Sequence, residues 1–265
     1  MRMCSISLAL LLVLTMACGG GSSTLTSGSG VSGAYEFVVT SSVTGSVTLV
    51  EANLAANGSQ SSATGPSQVQ ILTLENKSWY VNGACPGETP GQNSVAANVS
   101  GSNIALTFNE GGSVFPGQGV LVGTTITGNY SVTGSKCPSL IGLIGFPSGS
   151  DSGGFVGNQV PDLAGTFSGS LNLTDGIDNA ALTLMESTNH VLTVSAELKG
   201  PQNNGTFTLT GSAVGNVMFV SGSVNGHTLS FFGYFDRTGT FSGMTNSILV
   251  FDYDTLANIG LLIKQ

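Results

Sequence analysis

The amino-acid sequence predicts an all-β protein made of two tandem antiparallel β-meander domains, each a small barrel or sandwich, with only minor helix. Composition is the first reason: the chain has 39 glycines and 8% charged residues, and no long segment carries apolar residues at helical spacing. Short alternating segments bounded by Gly, Asn, Ser or Pro are the second reason. The clearest predicted strands are 33–40, 46–51, 70–74, 103–108, 123–133, 165–173 and 191–198.

An internal repeat divides these predicted strands into two sets. Each half is therefore expected to be a meander of about six to eight strands, and eight strands can close a barrel that is filled by its own side chains or holds one small ligand. Fusion of both halves into one larger sheet is the alternative. Five landmarks occur in the same order in both halves: Gly33–Tyr35 with Gly165–Phe167, Val47–Glu51 with Leu182–Glu186, Ile71–Leu74 with Val191–Val194, Val99–Ser102 with Val220–Ser223, and Thr127–Ser131 with Thr238–Ser242.

The first residues have the three-part pattern of a secretory signal peptide. A basic residue, Arg2, precedes an apolar run from Ile6 to Val13, and small residues then lead to Cys18. Even when it is extended to Met16, the run is much shorter than the ~20 residues that a membrane-spanning helix needs. We therefore predict that residues 1–17 are a signal peptide and not a membrane span.

The segment Leu14-Thr15-Met16-Ala17-Cys18 resembles the lipobox of bacterial lipoproteins, with Thr15 at the position where that family usually has an aliphatic residue. The resemblance implies that the Cys18 thiol is lipidated and that Cys18 becomes the first residue of a membrane-anchored mature chain. No acidic residue directly follows Cys18, which in many bacterial lipoproteins accompanies transport to the outer membrane. The expected location is therefore the bacterial cell envelope, at the outer membrane.

The remainder of the chain divides by composition. Residues 18–30 are the lipidated cysteine and an almost pure Gly, Ser and Thr segment, which predicts a flexible tether. We place the first β domain at residues 31–137, a Gly- and Pro-rich linker at 138–161, and the second β domain at 162–265.

Two cysteines, Cys85 and Cys137, remain after the signal peptide and Cys18 are set aside. In an oxidising envelope compartment they most simply form a disulfide, which would stabilise the first domain by roughly 4 kcal/mol on the chain-entropy model. A metal or redox site is the alternative, but there is no C-x-x-C motif and no nearby histidine.

The charge balance is acidic, because the chain without Arg2 has 5 basic against 14 acidic residues and a net charge near −9. The basic residues are scattered singly. This pattern disfavours nucleic acid and anionic lipid surfaces as partners, since both need clustered Lys and Arg. Membrane attachment is therefore expected only through the lipid on Cys18.

Catalytic and metal-binding patterns are weak. The two histidines, His190 and His227, have no positioned serine of the G-x-S-x-G type to act on. Glu186 precedes His190 across a predicted turn, which predicts a hairpin contact without chemistry. The acidic clusters Asp175–Asn179 and Asp252–Asp254 lack the EF-hand spacing and are interpreted as tight turns, so no metal and no cofactor is predicted.

Aromatic and acidic side chains provide the candidate ligand-binding residues. The segment Phe231–Phe235 places aromatic rings on both faces of one strand, so one face must be covered or exposed. A packing role, against the first half, is favoured over an exposed platform for sugar or an apolar partner. Glu51 and Glu186 are predicted to be equivalent residues at the rim of each meander. The candidates are Trp79, Tyr80, Phe232, Tyr234, Glu51 and Glu186.

Together these features predict a lipid-anchored envelope lipoprotein that acts as a non-catalytic binding or structural module. Its expected partners are the membrane, and a carbohydrate, an apolar ligand or an envelope protein. A β-barrel carrier of one small apolar ligand is the first alternative, and it predicts an enclosed cavity. A hydrolase of envelope polymers is the second, but the paired acids or nucleophile and base that it needs are not found.

Overall fold

The computed structural model describes residues 31–43, 45, 47–56, 62–75, 78–82, 94–110, 113–133, 150–173, 176–201, 203–240, 242–253 and 257–265. These residues form strands and turns only, so the predicted all-β class is confirmed and the predicted minor helix does not occur among them. No helical segment in this part of the chain could cross a membrane. The predicted signal peptide, the tether with Cys18, and both Cys85 and Cys137 lie outside the described residues.

The first barrel is an antiparallel meander whose order in the sheet is β2-β1-β9-β8-β7-β6-β5-β3-β4. An additional pairing of β2 with β3 joins the two ends of the sheet, and β4 remains as a hairpin partner of the second half of β3. Its strands are β1 (Gly33–Ser41), β2 (Val47–Ala56), β3 (Ser62–Glu75), β4 (Ser78–Asn82), β5 (Ser94–Ser100), β6 (Asn103–Glu110), β7 (Ser113–Val122), β8 (Thr125–Val132) and β9 (Asp151–Gln159).

The second barrel is an eight-stranded meander in which every strand pairs with its sequence neighbours and β17 closes on β10. Two tandem β domains are therefore present, as the internal repeat predicts. Its strands are β10 (Gly165–Leu173), β11 (Gly176–Glu186), β12 (Val191–Lys199), β13 (Asn204–Val214), β14 (Val217–Val224), β15 (His227–Asp236), β16 (Ser247–Asp252) and β17 (Asn258–Lys264).

The interiors of both barrels are filled by apolar side chains. Alternation along each strand sends every second residue inward, and the inward side chains that the structure describes are mostly aliphatic and aromatic. In the first barrel Phe37 packs edge-on against Phe108, with ring centroids 5.3 Å apart. In the second, Phe167 packs edge-on against Phe235 at 5.3 Å. Burial of these clusters is the main source of stability for each barrel.

The predicted linker 138–161 is wrong in its second half, because residues 151–159 are β9, which pairs with both β1 and β8. The high glycine content of this segment predicts a linker. In the structure, however, glycines of β9 are needed because neighbouring groups leave no room for a side chain. A Cβ at Gly157 would stand 2.3 Å from the Phe37 ring, and one at Gly153 would stand 2.0 Å from the Thr40 carbonyl oxygen. The first barrel therefore extends to Gln159, and the connection to β10 is only residues 160–164.

The sequence landmarks coincide with equivalent strands only in part. Gly33 and Gly165 both begin their barrels at positive φ, +138° and +133°, and the next two landmarks fall on the second and third strands of each barrel. The segment Val99–Ser102, however, begins on β5, which is the fourth strand of the first barrel when the hairpin strand β4 is left out. Val220–Ser223 lies on β14, the fifth strand of the second barrel, so the two segments are not equivalent. The two barrels share an architecture more closely than they share a sequence pattern.

Candidate functional site

The two barrels pack against each other through their outer surfaces. The first barrel contributes the outward side chains of β1 and β2, namely Glu36, Val38, Leu49, Glu51 and Asn53, which we call the docking face. The second barrel contributes the outward side chains of β14 to β17, which we call the receiving face. The receiving face consists of Val217, Phe219, Phe232, Tyr234, Leu249, Phe251 and Leu261, and these residues form one apolar cluster with Val38 and Leu49.

Aromatic rings form the centre of this interface. Phe232 is only 1% exposed and lies between two other rings, with its centroid 5.7 Å from that of Phe219 and 4.9 Å from that of Phe251. Tyr234, two residues further along β15 and 2% exposed, points to the same side. The aromatic segment therefore packs against the first barrel, as its alternating pattern predicts.

The turn between β13 and β14 is hydrogen-bonded to β2 of the first barrel. The Asn53 side-chain amide donates to the Ala213 carbonyl oxygen at 2.7 Å, and its carbonyl oxygen accepts the Gly215 amide at 3.0 Å. The Asn216 amide donates to Glu51 Oε2 at 2.8 Å. A turn of one barrel is thus fixed by side chains of the other, in a fully buried environment where unpaired polar groups are costly.

Glu36 connects the same turn to the aromatic cluster. One of its oxygens, Oε2, accepts hydrogen bonds from the Tyr234 hydroxyl at 2.6 Å and from the Asn216 side-chain amide at 2.9 Å. Arg237 Nε in turn donates to Asn216 Oδ1 at 2.8 Å. Among the residues that the structure describes, this polar network thus joins the carboxyl groups of Glu36 and Glu51 on one barrel to Arg237 on the other through Asn216.

Burial controls the ionisation of this network. Glu51 is fully buried, and desolvation, followed by the negative charge of Glu36, raises its pKa well above the ordinary 4.5. Burial and the charges of Glu36 and Glu51 also raise the pKa of Tyr234, while burial lowers the pKa of Arg237. A side-chain hydrogen bond between the Glu51 and Glu36 carboxyl groups raises the pKa of Glu51 further, since one of two facing carboxyl groups has to keep its proton. The arrangement thus favours a neutral Glu51 carboxyl group.

Stability is expected to fall as the pH rises above about 4.5, because the pKa of Glu51 is higher in the folded than in the unfolded protein. Glu51→Gln keeps the shape of the neutral carboxyl group, so the variant should be more stable than the wild type by about 1 kcal/mol or more at pH 8 and similar to it at pH 4. Urea unfolding of the wild type and the variant at a series of pH values measures both the fall in stability and the difference between the two proteins.

A matched control for this substitution is Glu197→Gln, because Glu197 is half exposed and its ion pair with Lys199, at 2.8 Å, lies at the surface. Glu36, Tyr234 and Arg237 face Glu51 in both the wild type and the variant, so they do not account for a difference between them. A wild type whose stability rises between pH 5 and pH 8 as steeply as that of Glu51→Gln would show that Glu51 is ionised in the interface.

Glu186 lies at the end of β11, near the connection between the barrels. Its side chain is 2% exposed; Oε1 lies 2.7 Å from His190 Nδ1 and Oε2 accepts the Leu163 amide at 2.5 Å. The predicted hairpin contact between Glu186 and His190 is confirmed. Leu163 is buried with the second-barrel core, so Glu186 holds the inter-barrel connection at the end of that barrel.

The predicted equivalence of Glu51 and Glu186 is wrong. Gly33 pairs with Leu54 in the first barrel and Gly165 with Leu184 in the second, so strand register makes Glu51 equivalent to Ala181. Glu51 lies within β2 and not at a rim. The segments VTLVE and LTLME are similar in sequence, but they occupy different positions along their strands. Matching them by sequence therefore pairs residues that are not structurally equivalent.

Three of the six predicted ligand-binding residues, Glu51, Phe232 and Tyr234, meet at the interface, and Glu186 lies apart from them. Trp79 and Tyr80 lie on β4, and their side chains are outside what the structure describes. Sequence reasoning missed Glu36, Asn216 and Arg237. An isolated polar residue in a strand or a turn carries no pattern that indicates a partner about 180 residues away.

The predicted turn clusters are partly described. Asp178 is a fully buried residue of β11, and Asp252 ends β16, whereas Asp175 and Asp254 lie outside the described residues. Within the described ranges, no group of three or more His, Cys, Asp or Glu side chains could hold a metal ion. His227 begins β15 at the surface.

Comparison with known proteins gives no functional lead: no protein-family model matches this chain, and a search of curated proteins finds no relative.

Proposed function

We propose that this protein is a lipid-anchored lipoprotein of the bacterial cell envelope whose two barrels act as one rigid, non-catalytic structural or binding module. The observation that carries the module is the interface itself. Its aromatic and acidic side chains, which as exposed groups would suit ligand binding, are used to join the barrels. A buried, hydrogen-bonded joint limits relative motion of the barrels more than a flexible linker does.

The carrier alternative receives less support. A barrel of eight strands can hold one small ligand only when its interior is left open. The inward residues of both barrels form buried apolar clusters, which include Phe37, Phe108 and Phe155 in the first and Phe167, Phe231 and Phe235 in the second. Filled interiors favour a structural module. A disulfide between Cys85 and Cys137 remains part of the proposal for the first barrel.

The anchor is tested by Cys18→Ser in the full chain expressed in a bacterial host. Wild-type protein is expected in the membrane fraction with the added mass of lipid, since several acyl chains give a stable anchor. The variant is expected to lose the lipid mass and to leave the membrane fraction. Fractionation and intact-mass measurement check both expectations.

The control for this experiment is Cys4→Ser, because Cys4 lies in the predicted signal peptide and should leave lipidation unchanged. A wild-type protein without lipid, or a Cys18→Ser protein that still sediments with membranes and carries lipid, would refute the anchor.

A further inference from the structure

The strand registers define which residues of the two barrels occupy the same position. Gly33 and Gly165 begin equivalent first strands, and Leu54 and Leu184 pair with them. In the second barrel the position of the docking face is therefore occupied by Ser168, Ser170, Asn179, Ala181 and Thr183, in place of Glu36, Val38, Leu49, Glu51 and Asn53.

This second docking position is open. Small residues replace the larger ones of the first barrel, and they leave a surface hollow of about 370 Å³, bordered by Glu197 and Lys199. The volume lies near the lower end of the range for specific binding sites in proteins. At the position that corresponds to the docking face, the second barrel thus presents a concave surface.

The receiving face also has a counterpart, on β6 to β9 of the first barrel. Tyr234 pairs with Leu249, and Leu249 with Leu261; in the first barrel Val120 pairs with Thr127, and Thr127 with Val156. Register therefore places Val120 at the position of Tyr234 and Val156 at that of Leu261. Both valines are exposed, by 43% and 39%.

The turn that enters the interface is repeated as well. Gly215, in the turn between β13 and β14, has φ of +57° and lies against Glu51; its counterpart between β5 and β6 is Gly101, with φ of +64°. A Cβ added at Gly101 would have no neighbour within 4 Å. The first barrel thus presents a free turn beside two exposed valines, in the arrangement that the second barrel uses to bind the docking face.

From these equivalences we propose that the chain associates head to tail with further copies of itself. The β6–β9 face of the first barrel in one copy, with Val120, Thr127 and the turn at Gly101, binds the hollow of the second barrel in the next copy, around Ala181. A contact between two different faces does not close on itself by twofold symmetry, so it produces open chains or closed rings of more than two molecules. This inference does not depend on the lipid anchor.

The chemistry of the two faces predicts weak association. The counterparts of Phe219, Phe232 and Phe251 are small or polar, among them Ala105 and Gln118, so the aromatic anchors that dominate tight interfaces are missing. Apart from Glu197 and Lys199 at the border of the hollow, both faces present mainly hydroxyl, amide and aliphatic groups. A dissociation constant of roughly 10 µM to 1 mM is expected, in the range of transient contacts.

Sedimentation of the full chain carrying Cys18→Ser, over a series of concentrations, tests the proposal. The average mass of this reference protein should rise past that of a dimer. Ala181→Arg, which fills the hollow, and Val120→Arg, which places a charge on the opposite face, should each weaken association about tenfold or more. Val191→Arg is the control, because Val191 is 53% exposed on β12 at the end away from Lys199.

Mixing the two variants separates head-to-tail association from any symmetric contact. The Val120→Arg copy keeps its hollow and the Ala181→Arg copy keeps its β6–β9 face, so an equimolar mixture should form dimers and stop there. Ser170→Arg and Thr127→Arg repeat the test at neighbouring positions if either first variant fails to fold. A reference protein that stays monomeric up to about 1 mM, an effect of Val120→Arg without one of Ala181→Arg, or a mixture that stays monomeric would each overturn the proposal.

Discussion

Replacing Gly215 with alanine is expected to lower the free energy of unfolding by about 3 kcal/mol, the sum of two separate costs. The backbone of Gly215 has φ of +57°, which a residue with a Cβ adopts only at a penalty. The added Cβ would also stand 2.0 Å from Glu51 Oε2 and 2.8 Å from the Tyr35 carbonyl oxygen. Glu51 is fully buried and the carbonyl belongs to β1, so neither can move aside freely. Equilibrium unfolding in urea measures the loss.

Gly101→Ala is the matched control, since Gly101 has nearly the same φ and an open surrounding. It should lose only the backbone part, about 1 kcal/mol. The difference between the two variants then isolates the fit of the turn against the first barrel. Equal losses for Gly101→Ala and Gly215→Ala would mean that the turn is not held tightly in the interface.

Most of the fold could be predicted from the sequence because it depends on local patterns. All seven clearest predicted strands overlap strands of the structure, since alternation of side chains and turn residues act over a few positions. β9 was missed for a physical reason. Its glycines read as a linker, but Gly157 is small because the Phe37 ring lies over it, and that ring belongs to a strand more than a hundred residues earlier.

The candidate site could be predicted only in part. The segment around Phe232 shows by its pattern that one aromatic face must be covered, whereas nothing local indicates that β1 and β2 cover it. Glutamate is ordinarily charged, so the sequence predicts that Glu51 is exposed to water. Its burial depends on the turn of the other barrel, where the Asn216 amide donates a hydrogen bond to Glu51 at 2.8 Å. Such contacts depend on the relative position of two barrels, which residue patterns within either barrel do not encode.

Phe232→Ala should have the largest effect on the coupling of the two barrels. Phe232 is 1% exposed and stacked between Phe219 and Phe251, and removing a buried phenylalanine side chain costs about 4 kcal/mol. Phe232 faces away from the interior of its own barrel, so the loss is shared between its stacking on Phe219 and Phe251 and the cluster with Leu49 of the first barrel. Thermal unfolding of the variant should separate into two transitions, one for each barrel, where the wild type shows one.

Tyr253→Ala provides the comparison, because its ring touches the same Phe219 edge-on at 6.4 Å but is 52% exposed. It should cost less than about 1 kcal/mol and keep a single transition. If Phe232→Ala destabilises no more than Tyr253→Ala, the aromatic cluster does not couple the folding of the two barrels. A rigid module requires the opposite result, since only a buried interface can make the folding of one barrel depend on the other.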